Sequence, residues 1–138
     1  MQIIQSSITL KPFKRGFHLI TDEIQSIVSK SGINTGVINI FLQHTSASIS
    51  INENADPSVL VDMENFYSDI ADDKPYYIHT YEGSDDMPAH IKSSILGQSL
   101  TIPITKNRLN LGTWQGIYLG EHRDFASKRK LVISISGI

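Results

Sequence analysis

Gly36-Val37-Ile38-Asn39-Ile40-Phe41-Leu42-Gln43-His44 is the most apolar stretch of this sequence. Its hydrophobic residues fall at both odd and even positions, and alternate residues of a β-strand point to opposite faces. A strand that is apolar on both faces is typical of the centre of a sheet, so we predict a central strand covered on both faces. The polar Gln43 and His44 follow where this rigid element ends, which is a favourable place for a functional side chain.

The segments on either side of this strand predict a mixed fold. Strands and helices occur in separate runs, which indicates an α+β architecture with mainly antiparallel sheet rather than a doubly wound fold. No Gly-x-Gly-x-x-Gly or Walker loop is present, so nucleotide-binding folds of those types are excluded. Further strands are predicted at 2–10, around 49–51, and at 76–80, 99–104, 109–119 and 129–136, and helices at about 21–31, 57–70 and 88–96.

Composition narrows the class of protein. The chain has 138 residues, 40% of them hydrophobic and 19% charged, which predicts one globular domain spanning 1–138. A net charge of -2 gives no field that would recruit nucleic acid or an anionic membrane. With no cysteine, disulfides and thiolate metal sites are excluded. No run of about 20 apolar residues and no signal peptide are seen, so we predict a cytoplasmic protein without a membrane partner.

Histidines and acids are concentrated between residues 77 and 92. His79 and His90 each stand at the end of a predicted element, with Asp86 between them. Imidazoles and carboxylates bind first-row metals, and histidine also moves protons near neutral pH. If folding brings His44 to the same place, these four side chains form a plausible site for catalysis or for a divalent metal ion. Their spacing matches no standard zinc motif.

Simpler structural roles stay open for several of these residues. Asp85 and Asp86 could form a pure helix N-cap, because acidic side chains are favourable at a helix start. Asp86 also precedes His90 by four residues, which places the two side chains on one helix face if the helix begins by Met87. His18 and His122 are interpreted as structural or surface histidines.

Gly112-Thr113-Trp114-Gln115-Gly116 is the second informative stretch. Glycines on both sides permit a close backbone approach, so Trp114 could stack on a planar ring while Gln115 bonds to its edge. The alternative is a core tryptophan with glycines at a strand bulge.

Four motifs lie along the chain: Gln43–Ala47, Glu53–Pro57, Gly83–Lys92 and Leu111–Ile117. Together they resemble the YjbQ family, which is also named secondary thiamine-phosphate synthase, and the resemblance covers essentially the whole chain. One departure occurs at the hairpin between two strands, where Asn107 replaces the family's turn glycine. Asparagine is the best substitute at positive φ, so we expect the hairpin to persist.

This resemblance implies two packed antiparallel sheets, a homotrimer and a polar cleft around the matched histidines. It also implies a weak thiamine-phosphate synthase activity, which joins hydroxymethylpyrimidine diphosphate to thiazole phosphate and releases pyrophosphate. A divalent ion such as magnesium or zinc would hold the diphosphate. The expected catalytic residues and metal ligands are His44, His79, Asp86 and His90, and the expected substrate-binding residues are Trp114, Gln115, Glu121, Arg123 and Lys92.

Two rival functions use the same residues. One is a metal-assisted phosphate-ester hydrolase, with the synthase activity as a side reaction. The other is a non-catalytic module that binds a small aromatic or phosphorylated ligand. In all three cases we expect His44 and Trp114-Gln115 to form the wall that faces His79, Asp86 and His90.

Overall fold

Eight strands and three helices form the part of the chain that the computed structural model describes, residues 1–125 and 127–138. In chain order they are β1 (Gln2–Leu10), β2 (Gly16–Leu19), α1 (Thr21–Ser31), β3 (Thr35–Leu42), β4 (Ala47–Glu53), α2 (Pro57–Ala71), α3 (Asp86–Leu96), β5 (Ser99–Thr105), β6 (Arg108–Leu109), β7 (Gln115–Glu121) and β8 (Arg129–Gly137).

Antiparallel pairing divides the strands between two sheets. The larger sheet has the order β1-β8-β3-β5-β6 and the smaller has the order β2-β7-β4. β3 pairs with β8 on one side and with β5 on the other, so the predicted central strand occupies the middle of the larger sheet. The prediction of an α+β fold with two mainly antiparallel sheets and three helices is confirmed.

The core lies between the two sheets and α1. Its side chains come from the inner face of β3 and from facing strands, because alternate strand positions point inward. α1 ends at Gly32, whose φ of 73° is the left-handed conformation that glycine adopts freely. The core includes Ile24, Val28, Ile38, Ile40, Leu42, Ile49, Ile117, Leu119, Leu131 and Ile133. No helix among the described residues has the length and apolarity needed to span a membrane.

The outer face of β3 differs from the prediction. Val37 is 43% exposed and Phe41 is 45% exposed, so this face is open in the single chain rather than covered. The core packs against one face of the larger sheet only. The apolar pattern of β3 therefore identified its central position correctly, but the prediction that both faces are covered was wrong for the isolated chain.

Three local predictions also need correction. The stretch 76–80 contains no strand, so His79 lies in an irregular segment before α3. The predicted strand 109–119 is two separate strands, β6 and β7, which belong to different sheets. β2 was not predicted, because its four residues lie beside a cluster of cations that resembles a simple turn.

The β5–β6 hairpin confirms the expectation for Asn107. Lys106 and Asn107 have φ values of 53° and 60°, which form a two-residue turn between Thr105 and its partner Arg108. The Asn107 side chain also donates hydrogen bonds to the carbonyl oxygens of Val28, at 3.0 Å, and of Ile33, at 2.6 Å. Asparagine therefore makes contacts here that glycine could not.

Candidate metal centre and cleft

His79, Asp86 and His90 converge at the start of α3. Asp86 Oδ2 lies 2.8 Å from His79 Nε2 and 3.1 Å from His90 Nε2. One ligand atom from each residue lies within 4.8 Å of the others, which is close enough for all three to contact one ion. Two imidazoles and a carboxylate suit zinc and other first-row metals better than magnesium, which prefers oxygen ligands.

Helical geometry aligns two of these three residues. α3 begins at Asp86, so Asp86 and His90 are one turn apart on the same face. Asp85, rather than Asp86, occupies the N-cap position. The Asp86 residue is only 4% exposed and contacts both histidines, so the interpretation of this side chain as a simple cap does not hold.

Arg123 fixes the orientation of the Asp86 carboxylate. Its Nη1 donates to Asp86 Oδ1 at 2.8 Å, its Nε donates to Asp85 Oδ2 at 2.9 Å, and its Nη2 donates to the Glu82 carbonyl oxygen at 2.7 Å. Burial alone would raise the pKa of Asp86, but the hydrogen bond from His79 and the charges of His90 and Arg123 outweigh it and lower the pKa. Asp86 is therefore ionised, with Oδ2 left for the histidines.

The hydrogen bond made by His90 Nδ1 determines whether His90 Nε2 carries a hydrogen or a lone pair. His90 Nδ1 lies 2.8 Å from the Thr45 carbonyl oxygen, which only accepts hydrogen bonds, so Nδ1 carries the hydrogen. In neutral His90 the lone pair is then on Nε2, where it faces Asp86 Oδ2. Two acceptors at 3.1 Å are favourable only with a proton or a cation between them. The donor set and its supporting carbonyl therefore fit a metal ion.

His44 belongs to a neighbouring cleft rather than to the three-residue group. Among the described residues, the group whose ligand atoms converge contains His79, Asp86 and His90 but not His44. His44 Nε2 accepts a hydrogen bond from the Lys130 amide at 2.9 Å, so this nitrogen is already in use. Burial and the nearby Arg129 lower the pKa of His44 against an opposing effect of Glu121, which favours a neutral ring with its hydrogen on Nδ1.

His44 and His90 nevertheless line the same open cleft. The cleft has a volume of about 640 Å³ and lies between the end of β3 and α3. Its surface combines an aromatic ring and apolar atoms with hydroxyl and amide groups, which is common for a small-molecule site. The lining residues are Phe41, Leu42, Gln43, His44, Thr45, His90, Ser93, Ser94 and Gln98.

Three predicted substrate-binding residues are used within the protein instead. Lys92 is fully buried with Nζ 2.9 Å from Asp72 Oδ1, and Glu121 is fully buried in an ion pair with Arg129. Arg123 binds the acidic residues at the start of α3. The charged groups of Lys92, Glu121 and Arg123 are therefore already paired within the chain, whereas we had expected these residues to bind substrate.

Trp114 and Gln115 lie far from the histidines, which corrects the expected facing wall. Gln115 begins β7 and Glu121 ends it, and six residue steps of strand cover about 20 Å. Glu121 is near the cluster because Arg123 follows it by two residues and binds Asp86. Trp114 is 65% exposed, so the alternative of a core tryptophan is also wrong.

The segment Glu121–Asp124 has structural functions that the sequence interpretation missed. Each of its four side chains contacts a different part of the chain, whereas the sequence analysis predicted only that Glu121 and Arg123 bind substrate and that His122 is a structural or surface residue. The only available signal was a run of polar residues directly after an apolar strand, where rigid elements can aim them. The partners are Arg129 for Glu121, Ser48 for His122, Asp85 and Asp86 for Arg123, and Arg15 for Asp124.

Fold and site together define a class: a small α+β protein with two antiparallel sheets and a His–Asp–His group beside a cleft at the end of the central strand. The chain belongs to the UPF0047 protein YjbQ-like family, whose model matches residues 6–138.

Relatives match over nearly the whole chain. The UPF0047 protein YjbQ of Escherichia coli is 49% identical over 96% of this chain and 97% of its own length. The relative of the same name in Salmonella typhimurium is 52% identical with the same coverage. A crystal structure from Clostridium acetobutylicum matches with a TM-score of 0.86 at 38% identity, covering 95% of this chain and 99% of that one. A YbjQ-like protein of unknown function from Sulfolobus solfataricus gives a TM-score of 0.89 at 27% identity, covering 99% of each chain.

Proposed function

We propose that this protein is a metal-dependent enzyme that acts on small phosphorylated molecules, with a weak thiamine-phosphate synthase activity. The observation that supports the metal is the convergence of His79, Asp86 and His90 beside a cleft of about 640 Å³. The choice of reaction rests on family membership and on the resemblance of the motifs. In this reaction the C–O bond to the diphosphate breaks, the electron pair leaves with the diphosphate, and the thiazole nitrogen forms a C–N bond to the pyrimidine methylene carbon.

Within this proposal, the metal-binding residues and His44 have separate roles. His79, Asp86 and His90 would hold a divalent ion such as zinc or magnesium, which when bound supplies positive charge for the diphosphate oxygens. Among the described residues, none of the nine that line the cleft is lysine or arginine, so the metal ion would be the main positive charge there. His44 has only Nδ1–H left to donate, and it would orient a bound ligand or supply a proton.

A metal-assisted phosphate-ester hydrolase is the second candidate. Three protein ligands leave coordination positions open, which is typical of catalytic rather than structural metal sites. A hydrolase also requires fewer substrate contacts than a two-substrate transferase, and the structure places Trp114 and Gln115 away from the cleft. The third candidate, a binding module without turnover, would use the same cleft and metal.

A cytoplasmic location remains part of the proposal.

The first experiment combines metal analysis with activity. Protein purified without chelator is expected to contain close to one equivalent of a divalent metal per chain. His90→Gln and Asp86→Asn should lose most of that metal and lower pyrophosphate release from the two thiamine precursors at least tenfold, because each removes one of three ligands. His18→Gln, at a histidine of β2 outside the cleft, is the matched control. Unchanged metal content and rates in both variants would refute the proposal.

The products distinguish the three candidates. Pyrophosphate release that requires both precursors indicates the transferase. Phosphate release from one ester alone indicates the hydrolase. Ligand-induced thermal stabilisation without any product indicates the binding module.

We also propose a homotrimer, and the open face of the larger sheet supports it. Across β1, β8, β3 and β5 this outer face carries one charged residue, Lys130, and a second, Arg108, lies at its β6 edge, although 19% of the chain is charged. Depletion of charge is characteristic of the centre of a protein interface. The face is formed by Ile3, Gln5, Ser7, Thr9, Lys130, Val132, Ser134, Ser136, Thr35, Val37, Asn39, Phe41, Ser99, Thr101, Pro103 and Thr105.

Light scattering tests this assembly. A trimer of 15.4 kDa chains has a mass of about 46 kDa, three times the chain mass. Val37→Glu places a charge at the centre of the face and should shift the mass to that of one chain. Val61→Glu, at a valine of α2 that is 58% exposed, should leave the mass unchanged. A wild-type protein with the mass of one chain would contradict the homotrimer.

A further inference from the structure

Trp114 is the only tryptophan of the chain and is held in an exposed position by a rigid turn. The Asn54 amide donates to the Trp114 carbonyl oxygen at 2.9 Å, and Asn54 Nδ2 donates to the carbonyl oxygens of Thr113, at 3.1 Å, and Gln115, at 3.0 Å. Gln115 Oε1 accepts from the Gly112 amide at 2.8 Å. The backbone is therefore fixed on both sides of an indole that is 65% exposed, so its aromatic surface is accessible to a ligand.

Trp114 and the acidic residue Glu53 line the same small cavity. It has a volume of about 280 Å³ and is lined by Ile51, Asn52, Glu53, Trp114 and Gln115. Glu53 is the only charged residue among them, and its Oε2 accepts a long hydrogen bond of 3.3 Å from the amide of Asp56. An aromatic face and a carboxylate in one cavity are the two groups that an organic cation requires.

The surroundings of the cavity are also acidic. A second cavity shares Glu53 with the first and adds one carboxylate. A third cavity shares Asn54 with the second and adds two more. No lysine, arginine or histidine is found among the residues that line the three cavities. A phosphate or other anion is therefore repelled here, whereas a cation is attracted. The additional carboxylates belong to Asp22, Glu23 and Asp56.

We propose that Trp114 and Glu53 form a binding site for a small organic cation, such as a quaternary ammonium group or an N-alkylated aromatic ring. The indole would contact the apolar body of the cation through its π face, and Glu53 would balance the charge. The site lies at the opposite end of β7 from Glu121, about 20 Å along the strand. It does not depend on the proposed metal chemistry, because it shares no residue with the His79–Asp86–His90 group.

Tryptophan fluorescence tests the site directly, since all tryptophan emission comes from Trp114. Choline is the cationic probe, and 3,3-dimethylbutan-1-ol is its uncharged counterpart of the same shape. Choline is expected to change the emission with a roughly millimolar midpoint. It should bind about 2- to 30-fold more tightly than the neutral alcohol, the range that a cation–π contact supplies. Equal affinity for the two probes, or no saturation with choline, would overturn the proposal.

Variants test whether choline binding requires the carboxylate of Glu53. Glu53→Gln should weaken choline binding at least threefold, whereas Asp62→Asn on the exposed face of α2 should leave it unchanged. His90→Gln should also leave it unchanged, which separates this site from the metal centre even if the proposed enzyme activity fails. If dilution of the protein without any probe shifts the emission, a second copy covers Trp114 and the proposal is wrong. A choline response that is the same in Glu53→Gln as in wild type would also refute it.

Discussion

Replacing Asp72 with alanine is expected to lower the free energy of unfolding by about 3–5 kcal/mol. Lys92 is fully buried, and the carboxylate that balances its Nζ is Asp72, whose Oδ1 lies 2.9 Å away. Burial alone would raise the pKa of Asp72, but Lys92 and Arg15 outweigh it, so the pKa is lowered and the carboxylate is charged. Without Asp72 the buried ammonium loses the charge that compensates for its desolvation.

A second variant separates the unpaired charge from the loss of contacts. Asp72→Ala combined with Lys92→Met removes both charges and keeps an apolar side chain of similar length in the buried position. This double variant should recover most of the stability lost in Asp72→Ala, because a buried ion pair is often replaceable by well-packed apolar groups. Asp69→Ala, on the exposed face of α2, is the matched control. Urea unfolding at pH 7 measures all four proteins, and equal destabilisation of the single and double variants would contradict this explanation.

Helical geometry alone could have predicted the buried position of Lys92. Successive residues of a helix are rotated by about 100°, so residues two apart point to nearly opposite sides. His90 points to His79 and Asp86, and Lys92 consequently points into the protein, where α3 packs against β4 and α2. We predicted both residues for one site because they are close in sequence, but on a helix the useful spacings are three and four. Asp86 and His90 satisfy that spacing, and their convergence was the part of the site that the sequence could predict.

The position of Trp114 was also constrained by local geometry. Trp114, Gln115 and Glu121 were all predicted to bind substrate, yet β7 connects them and separates its ends by about 20 Å. The sequence could not show which end of β7 lies near the histidines, because that depends on the pairing of β7 with β2 and β4. These partners are distant in sequence, and their register comes from long-range packing. The position of His79 could not be predicted either, because His79 lies in an irregular segment and no periodic sequence pattern indicates that this segment brings it to Asp86.

His122 shows how a polar residue can become part of a core. The sequence allowed a structural or a surface position, and the side chain is fully buried with Nε2 2.8 Å from the Ser48 hydroxyl. Gly120 leaves room for this pair, because a Cβ atom there would lie 2.4 Å from Ser48 Oγ and 2.7 Å from His122 Cε1. Burial, then the positive charges of Lys92, Arg129 and Arg15, lower the pKa of His122 to about 3. The folded protein therefore keeps this ring neutral.

The buried neutral His122 is expected to make the protein less stable in mild acid. In the unfolded chain a histidine has a pKa of about 6.5, so below that pH the unfolded state binds a proton that the folded state does not. The unfolding free energy then falls by about 1.4 kcal/mol for each pH unit between pH 6.5 and the folded pKa of about 3. The loss from this one residue is about 3 kcal/mol by pH 4 and about 5 kcal/mol at its limit.

His122→Gln isolates this contribution, because glutamine can still hydrogen-bond to Ser48 and does not titrate. Any stability difference between the two proteins at pH 8 reports packing, since the side chain is neutral there in both. Between pH 8 and pH 4 the wild type should lose about 3 kcal/mol more than the variant, measured by urea unfolding at each pH. Carboxylates with lowered pKa, such as Asp72 and Asp85, lose their stabilising effect only near and below pH 4 and do so in both proteins. If the unfolding free energies of the two proteins change in parallel with pH, His122 is protonated in the folded state. The assignment of a buried neutral ring would then be wrong.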